Sequence, residues 1–127
     1  MSTTGGTGEV NPPPPRGTIL VVDDEANIAD LVDLYLRKEG FRVLKAGTGE
    51  DGLAAARRER PRLVVLDVGL PGIDGLEVCK RLRADAVPGL SGVPVIFLTA
   101  LVGSHEATAG FHNCGRVTFG KGSGFKI

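Results

Sequence analysis

The chain has 127 residues, which is enough for one domain with its own hydrophobic core. Its 15 basic and 15 acidic side chains give a formal net charge of zero, so the composition does not favour a surface that binds nucleic acid or a membrane. No apolar stretch approaches the ~20 residues that a bilayer-spanning helix needs, and the N-terminus lacks the apolar core of a signal peptide. We therefore expect a cytoplasmic protein.

The N-terminal segment is rich in Gly, Thr and Pro and contains consecutive prolines at positions 12–15. A segment of this composition cannot bury enough apolar surface to fold by itself. We therefore predict that residues 1–17 form a disordered leader with a short polyproline segment, and that the ordered domain begins at Thr18.

Short apolar runs and helical patterns alternate after the leader. The apolar runs predict strands at residues 19–22, 41–46, 63–67 and 93–98, with a helix between each strand and the next. Strands that alternate with helices form βαβ units with a parallel sheet, and right-handed crossovers place the helices on both faces. The predicted fold is therefore α/β: a doubly wound parallel sheet of the flavodoxin-like type, with strand order 2-1-3-4-5.

The predicted helices have apolar faces and defined ends. The apolar faces comprise Ile28, Leu31, Val32 and Tyr35 in the first helix, and Leu76, Cys79 and Leu82 in the third. Gly40 is predicted to end the first helix in a left-handed conformation. The second helix begins at Thr48, where Asp51 completes a pattern similar to a capping box, and it ends at Pro61. Asp74 is placed to open the third helix.

Carboxylates follow two of the predicted strands. Asp67 ends the strand at 63–67, and Asp23, Asp24 and Glu25 follow the strand at 19–22. A single Asp at a strand end is often only a polar strand terminus or a helix cap. A second acidic group at the end of another strand makes a functional site the better interpretation. In the predicted order the first and third strands are neighbours, so Asp23, Asp24 and Asp67 are expected to converge at one edge, with Thr99 beside them.

Carboxylates that share one pocket repel each other. At a separation of ~4 Å and an effective dielectric constant near 20, each pair costs about 4 kcal/mol. Raised pKa values or a bound cation relieve this repulsion. A divalent ion with oxygen ligands is a natural solution, and Mg²⁺ suits a few carboxylates together with a phosphate. These residues therefore predict a site that holds a metal ion and a phosphoryl group.

Residues 18–100 resemble the receiver domain of bacterial two-component response regulators. The matching features are the acidic pair Asp23-Asp24, the segment Asp-x-x-Leu-Pro-Gly-x-Asp-Gly that begins at Asp67, and Thr99 at the end of an apolar strand. Each feature alone is weak, but their combination is specific. The sequence is most similar to that of the winged-helix (OmpR-like) regulators within this family.

The resemblance implies a role for each matching residue. Asp67 is expected to be the phosphoacceptor, which takes a phosphoryl group from a phosphohistidine of a sensor histidine kinase. Asp24, Asp67 and the main-chain carbonyl of Gly69 are expected to bind Mg²⁺ directly, and Asp23 is expected to assist through a metal-bound water. The hydroxyl of Thr99 is expected to contact the phosphoryl group.

The resemblance weakens after Ala100. The family has a Lys at the end of a fifth strand, and Lys121 has the expected spacing, although the residues around it match poorly. We expect the receiver domain to span residues 18–121, without the fifth helix of the family, and residues 122–127 to be an aberrant or truncated tail. Divergence, truncation and a change of reading frame near residue 101 are the three explanations for this tail.

The resemblance implies a phosphorylation switch rather than an enzyme that turns over an external substrate. The expected partners are a sensor histidine kinase and, in a homodimer, a second copy of the chain. We expect these residues to bind neither nucleic acid nor a membrane, and a DNA-binding domain outside them to control transcription.

Two alternative functions remain open. The abnormal tail favours a phosphorylation-independent or signalling-defective receiver-like module that acts through protein interactions. An aspartyl-phosphate hydrolase is disfavoured, because Gly69 stands where such enzymes carry a second acid for acid–base catalysis.

Overall fold

The computed structural model describes residues 16–98 and the backbone of residue 99 and of residues 117–120. The elements in chain order are β1 (Thr18–Val22), α1 (Ala26–Lys38), β2 (Arg42–Ala46), α2 (Gly49–Glu59), β3 (Leu63–Asp67), α3 (Gly75–Arg83), β4 (Val95–Thr99) and β5 (Val117–Gly120). Between residues 16 and 99, no helix combines the length and the apolar character needed to cross a membrane.

The strands form one parallel sheet in the order β2-β1-β3-β4-β5. This arrangement confirms the predicted doubly wound, flavodoxin-like fold and its strand order. In the register of β1 and β3, Val22 lies opposite Leu66. The residues that follow these two positions, Asp23 and Asp67, therefore leave the sheet at the same edge.

Alternate residues of the central strands point to opposite faces, and each face is covered by helices. On one face, α2 and α3 pack on the sheet through a core that includes Leu20, Val22, Val64, Leu66, Leu53, Ala56, Val78 and Leu82. On the other face, α1 packs on a core that includes Ile19, Val21, Val65, Leu98, Ala29, Val32 and Leu36. A parallel sheet buried on both faces requires apolar residues at nearly every strand position, and this sequence supplies them.

The buried face of α1 differs from the predicted face. Ala29, Val32 and Leu36 are buried, whereas Leu31 and Tyr35 are 37% and 36% exposed. Ala29, Val32 and Leu36 are spaced at i, i+3 and i+7 and therefore share one helix face, which packs on the sheet and leaves Leu31 and Tyr35 outside it. The prediction for these two residues was therefore wrong.

Local signals fix the helix ends as predicted. Gly40 has a φ of +93°, and its N–H and that of Phe41 bond to the last turn of α1, which forms a Schellman motif. At the start of α2, the hydroxyl of Thr48 accepts the N–H of Asp51 at 3.1 Å. The helix ends at Glu59, two residues before Pro61.

Two residues of the predicted leader bond to the domain. The N–H of Arg16 donates to the Gly40 carbonyl at 2.9 Å, and the carbonyl of Gly17 accepts the N–H of Arg42 at 2.9 Å. The remainder of the leader, the position of the fifth helix and the tail at 122–127 lie outside the described residues.

Candidate functional site

Asp67 is the last residue of β3, and only 3% of its surface is exposed. Its backbone is held by the sheet, where it pairs with Leu98 of β4. One carboxylate oxygen, Oδ1, accepts the N–H of Gly69 at 3.3 Å. The chain therefore turns back on the carboxylate immediately after the strand, and this contact orients it at the carboxyl edge of the sheet.

Asp23 occupies the equivalent position after β1 and is also 3% exposed. Its N–H donates to the carbonyl of Ala46 in β2 at 3.0 Å, which extends the parallel pairing by one residue. Its Oδ1 accepts the N–H of Glu25 at 2.9 Å. Asp23 therefore contributes a second buried carboxylate at the same edge, held by its backbone and by a local turn.

Asp23, Glu25 and Asp67 form a cluster of carboxylates. Each offers one oxygen, and these oxygens all lie within 4.8 Å of one another. The predicted convergence of Asp23 and Asp67 is therefore observed. Asp23 and Glu25 are two residues apart, and the extended backbone of Glu25 (φ −87°, ψ 103°) accounts for their side chains meeting on one side of the chain.

Asp24 is exposed and is not part of this cluster of described carboxylates. Its direct bond to a metal ion therefore remains a prediction, as does that of the Gly69 carbonyl. Glu25 is the residue that the sequence interpretation did not assign as a ligand. Its acidic side chain directly after Asp23-Asp24 was the available signal.

The cluster places like charges in a poorly solvated pocket. Carboxylate oxygens of the buried Asp23 and Asp67 lie within 4.8 Å of each other, so at an effective dielectric constant near 20 the pairwise repulsion between two ionised groups there is at least about 3 kcal/mol. Carboxylate oxygens are hard ligands of the kind that Mg²⁺ binds. The donor chemistry of the three residues therefore fits a divalent cation.

The start of α3 lies directly against the backbone of Asp67. The Asp74 side chain caps this helix by accepting the N–H of Glu77 at 2.9 Å, as predicted. The N–H of Gly75 donates to the carbonyl of Val68 at 3.0 Å. A Cβ atom at Gly75 would lie only 2.3 Å from the main-chain oxygen of Asp67, so this position needs a residue without a side chain.

The ends of β4 and β5 complete the same edge of the sheet. Thr99 ends β4, one residue after Leu98, the partner of Asp67, and its backbone pairs with Gly120 of β5. The next residue in the chain is Lys121, which lies outside the described part of the structure. The predicted contacts of Thr99 and Lys121 with a phosphoryl group therefore remain predictions.

The fold and the site together define a class: a doubly wound α/β domain with an acidic pocket at the carboxyl edge of its parallel sheet. A family model described as the response regulator receiver domain matches residues 19–118. The chain belongs to this receiver-domain family, and this membership confirms the resemblance drawn from the sequence.

Two curated relatives agree with this assignment. The chain is 44% identical over 98 residues to the DNA-binding response regulator MtrA of Mycobacterium tuberculosis, a match that covers 77% of this chain and 41% of MtrA. It is 48% identical over 93 residues to the probable transcriptional regulatory protein TcrX of the same species, covering 73% of this chain and 38% of TcrX. The chain thus spans about two fifths of the length of these curated relatives.

A solved structure supports the fold independently. The N-terminal domain of a response regulator receiver protein from Methanoculleus marisnigri JR1 is 32% identical, with a TM-score of 0.76, and the match covers 85% of this chain and 86% of that one. The chain is therefore a receiver domain of the two-component response regulators, homologous to transcriptional regulators. In this family an Asp accepts the phosphoryl group and an acidic pocket binds Mg²⁺, and this chain has an Asp/Glu/Asp cluster of carboxylates.

Proposed function

We propose that Asp67 accepts a phosphoryl group from a phosphohistidine of a sensor histidine kinase, and that this modification switches an output. The observation that carries the proposal is the position of Asp67: a buried carboxylate at the end of β3, in a receiver domain, within 4.8 Å of two further carboxylates. The switch turns over no external substrate, because the product of the reaction is the modified protein itself.

The transfer requires in-line attack on phosphorus. A carboxylate oxygen of Asp67 forms the new oxygen–phosphorus bond while the bond between phosphorus and the donor nitrogen breaks, which yields an acyl phosphate and a free histidine. Such a reaction depends mainly on positioning and on neutralising charge. The hydrogen bond from Gly69 to Oδ1 fixes the carboxylate and thereby supplies part of the positioning.

Mg²⁺ is the proposed cofactor. Asp23, Asp24, Asp67 and the main-chain carbonyl of Gly69 are the residues that would hold it, and the oxygen donors at this edge fit its preference for hard ligands. When bound, the ion neutralises negative charge on the carboxylates and on the incoming phosphoryl group. Without that neutralisation, an anionic donor would have to approach a pocket that is already negative.

The neighbouring strand ends are proposed to bind the phosphoryl oxygens. The hydroxyl of Thr99 would donate to one oxygen, and the ammonium group of Lys121 would pair with another. The positions of β4 and β5 at the same sheet edge as Asp67 support this assignment.

The relatives support a role in the control of transcription. MtrA is described as a DNA-binding response regulator, and the chain spans 41% of its length. We therefore infer that the receiver domain acts within a cytoplasmic regulator of transcription, in which other residues bind DNA. A homodimer is a further proposed state of the modified domain.

The proposal is tested by incubating the protein with acetyl phosphate and MgCl₂ and measuring its intact mass. We expect one phosphoryl adduct on the wild-type protein and on an Asp51→Asn control, and none on Asp67→Asn. Asp51 is a suitable control because it is exposed in the first turn of α2.

Two results would contradict the proposal. A folded wild-type protein that forms no adduct would favour the phosphorylation-independent interaction module. Rapid release of phosphate over many cycles would indicate a hydrolase.

A further inference from the structure

We propose that the start of α2 positions the acidic pocket for phosphoryl transfer, and that Gly49 is a positioning residue for Asp67. The inference rests on the proposed function, because it concerns the rate at which Asp67 accepts a phosphoryl group. Gly49 has no side chain with which to touch the reacting atoms. It acts through the β3–α3 loop, which comprises residues 68–74 and follows Asp67 directly.

The β3–α3 loop carries groups that act on the Asp67 carboxylate. The N–H of Gly69 donates to Oδ1 of Asp67 at 3.3 Å. The main-chain carbonyl of Gly69 is a proposed ligand of Mg²⁺. The loop closes where the N–H of Gly75 donates to the carbonyl of Val68 at 3.0 Å. A shift of the loop would therefore move both groups of Gly69 relative to the carboxylate.

The loop packs against the start of α2 through Ile73. The Ile73 side chain is half-buried and packs on the core beneath α2 and α3. It fills the space beside the buried Gly49, where a Cβ atom would lie 2.6 Å from Cγ1 of Ile73 and 3.0 Å from its Cδ1. Carbon atoms in contact are ordinarily about 3.5–4.0 Å apart. Ile73 therefore fits against α2 only because residue 49 has no side chain.

The residues next to this contact approach each other closely as well. A Cβ atom at Gly72 would lie 3.5 Å from Oε2 of Glu50, so the Glu50 side chain reaches the backbone of the loop. Three residues further along α2 than Gly49, a Cβ atom at Gly52 would lie 2.8 Å from Cγ2 of Val22, the last residue of β1. The start of α2 thus contacts both the β3–α3 loop and the end of β1, and it sets the distance between the two sides of the acidic pocket.

The inference predicts that Gly49→Ala slows the phosphorylation of Asp67. The new Cβ atom would push Ile73, and with it the β3–α3 loop, away from α2. A misplacement of about 1 Å can slow a reaction by about 100-fold, and because the Ile73 side chain can take up part of the clash, we expect the rate with acetyl phosphate to fall about tenfold. The Gly69 carbonyl moves with the loop, so the MgCl₂ concentration that gives half of the maximal rate should rise.

A second variant separates an effect on the loop from an effect on stability. The Cβ atom of Gly49→Ala would also lie 2.6 Å from Cγ2 of Val78 in the core, and this contact destabilises the protein independently of the loop. Ile73→Ala removes both Ile73 atoms that the new Cβ atom would meet and leaves Val78 in place. It should slow the reaction a few-fold by itself, because the loop loses its contact with α2.

The double variant Gly49→Ala/Ile73→Ala then distinguishes the two effects. Its melting temperature should lie below that of Ile73→Ala, because the contact with Val78 remains. Its rate of phosphorylation should equal that of Ile73→Ala, because the new Cβ atom no longer pushes the loop. A substitution that costs about tenfold in one background and nothing in the other shows that the two residues are coupled.

The test measures adduct formation over time by intact mass, at a fixed concentration of acetyl phosphate and a series of MgCl₂ concentrations. Circular dichroism at the same temperature establishes that each variant is folded. Gly47→Ala is the matched control: it makes the same change two residues before Gly49, where a Cβ atom would meet nothing within 4 Å. This control should keep the rate and the MgCl₂ dependence of the wild-type protein.

A folded Gly49→Ala variant with the wild-type rate would overturn the inference. A double variant about tenfold slower than Ile73→Ala would do so too, because the defect would then follow stability and not the loop. If Gly49→Ala does not fold, Ile73→Ala decides the question, and an unchanged rate and MgCl₂ dependence of that variant would overturn the inference. Failure of the wild-type protein to form the adduct would instead contradict the proposed function, and the inference with it.

Discussion

Because the start of α3 lies against the backbone of Asp67, we predict that Gly75→Ala destabilises the protein, although a Gly-to-Ala change in a helix usually stabilises it. Ala is a better helix former than Gly by up to about 1 kcal/mol, so Gly75→Ala in α3 would ordinarily stabilise the protein. Here the new Cβ atom would lie 2.3 Å from the main-chain oxygen of Asp67 and 2.9 Å from the Cα of Val68. Both neighbours are backbone atoms, and they cannot move aside as the end of a flexible side chain could.

The magnitude follows from these two opposing effects. Inserting a carbon into a well-packed site costs about 1–3 kcal/mol, and the helix preference offsets up to about 1 kcal/mol of this cost. The net cost lies between about 0 and 3 kcal/mol, and we expect Gly75→Ala to lower the free energy of unfolding by about 1–2 kcal/mol, the middle of this range. Because the clash pushes on Asp67 itself, the rate of phosphoryl transfer from acetyl phosphate should also fall.

The assay is urea denaturation followed by circular dichroism, with phosphorylation measured on the same protein preparations. Gly92→Ala is the matched control, because a Cβ atom at Gly92 would meet nothing within 4 Å. The control should leave the free energy of unfolding within about 0.5 kcal/mol of the wild-type value. A Gly75→Ala variant as stable as the wild-type protein, with an unchanged rate of phosphorylation, would refute this reasoning.

Two further predictions concern stability away from the site. Thr48→Ala removes the cap of α2 and should lower the free energy of unfolding by about 1 kcal/mol in urea denaturation, whereas Thr48→Ser should keep most of it. Hydrogen bonds from the Arg57 side chain and from the backbone N–H of Val87 lower the pKa of Asp85. The ionised Asp85 carboxylate therefore stabilises the folded protein above pH ~4, and this stabilisation is lost as the pH falls through the lowered pKa. Asp85→Asn should therefore destabilise the protein more at pH 7 than at pH 2, and equal destabilisation at both pH values would contradict this interpretation.

The strand order and the helix ends were predictable because they depend on local signals. Buried apolar runs define the strands, and single residues such as Gly40, Thr48 and Asp74 end or begin the helices through bonds to their own neighbours. The βαβ pattern then leaves few possible topologies. The meeting of Asp23 and Asp67 followed from this topology.

The features that were missed depend on tertiary contacts. Two overlapping faces of α1 are apolar, and only packing on the sheet decides that Ala29 is buried rather than Leu31. Residues 23–25 are all acidic, and the path of the backbone determines that Glu25, and not Asp24, lies in the carboxylate cluster with Asp23 and Asp67. The need for Gly at position 75 comes from the approach of α3 to β3, which no sequence pattern records.

The most direct test of the central claim locates the phosphoryl group within the chain. The protein is treated with acetyl phosphate and MgCl₂ and then with borohydride, which reduces the acyl phosphate of an aspartate to homoserine, and peptide mass spectrometry identifies the reduced residue. We predict homoserine at position 67 alone. Homoserine at position 23 or 24, or its absence from a folded protein, would contradict it.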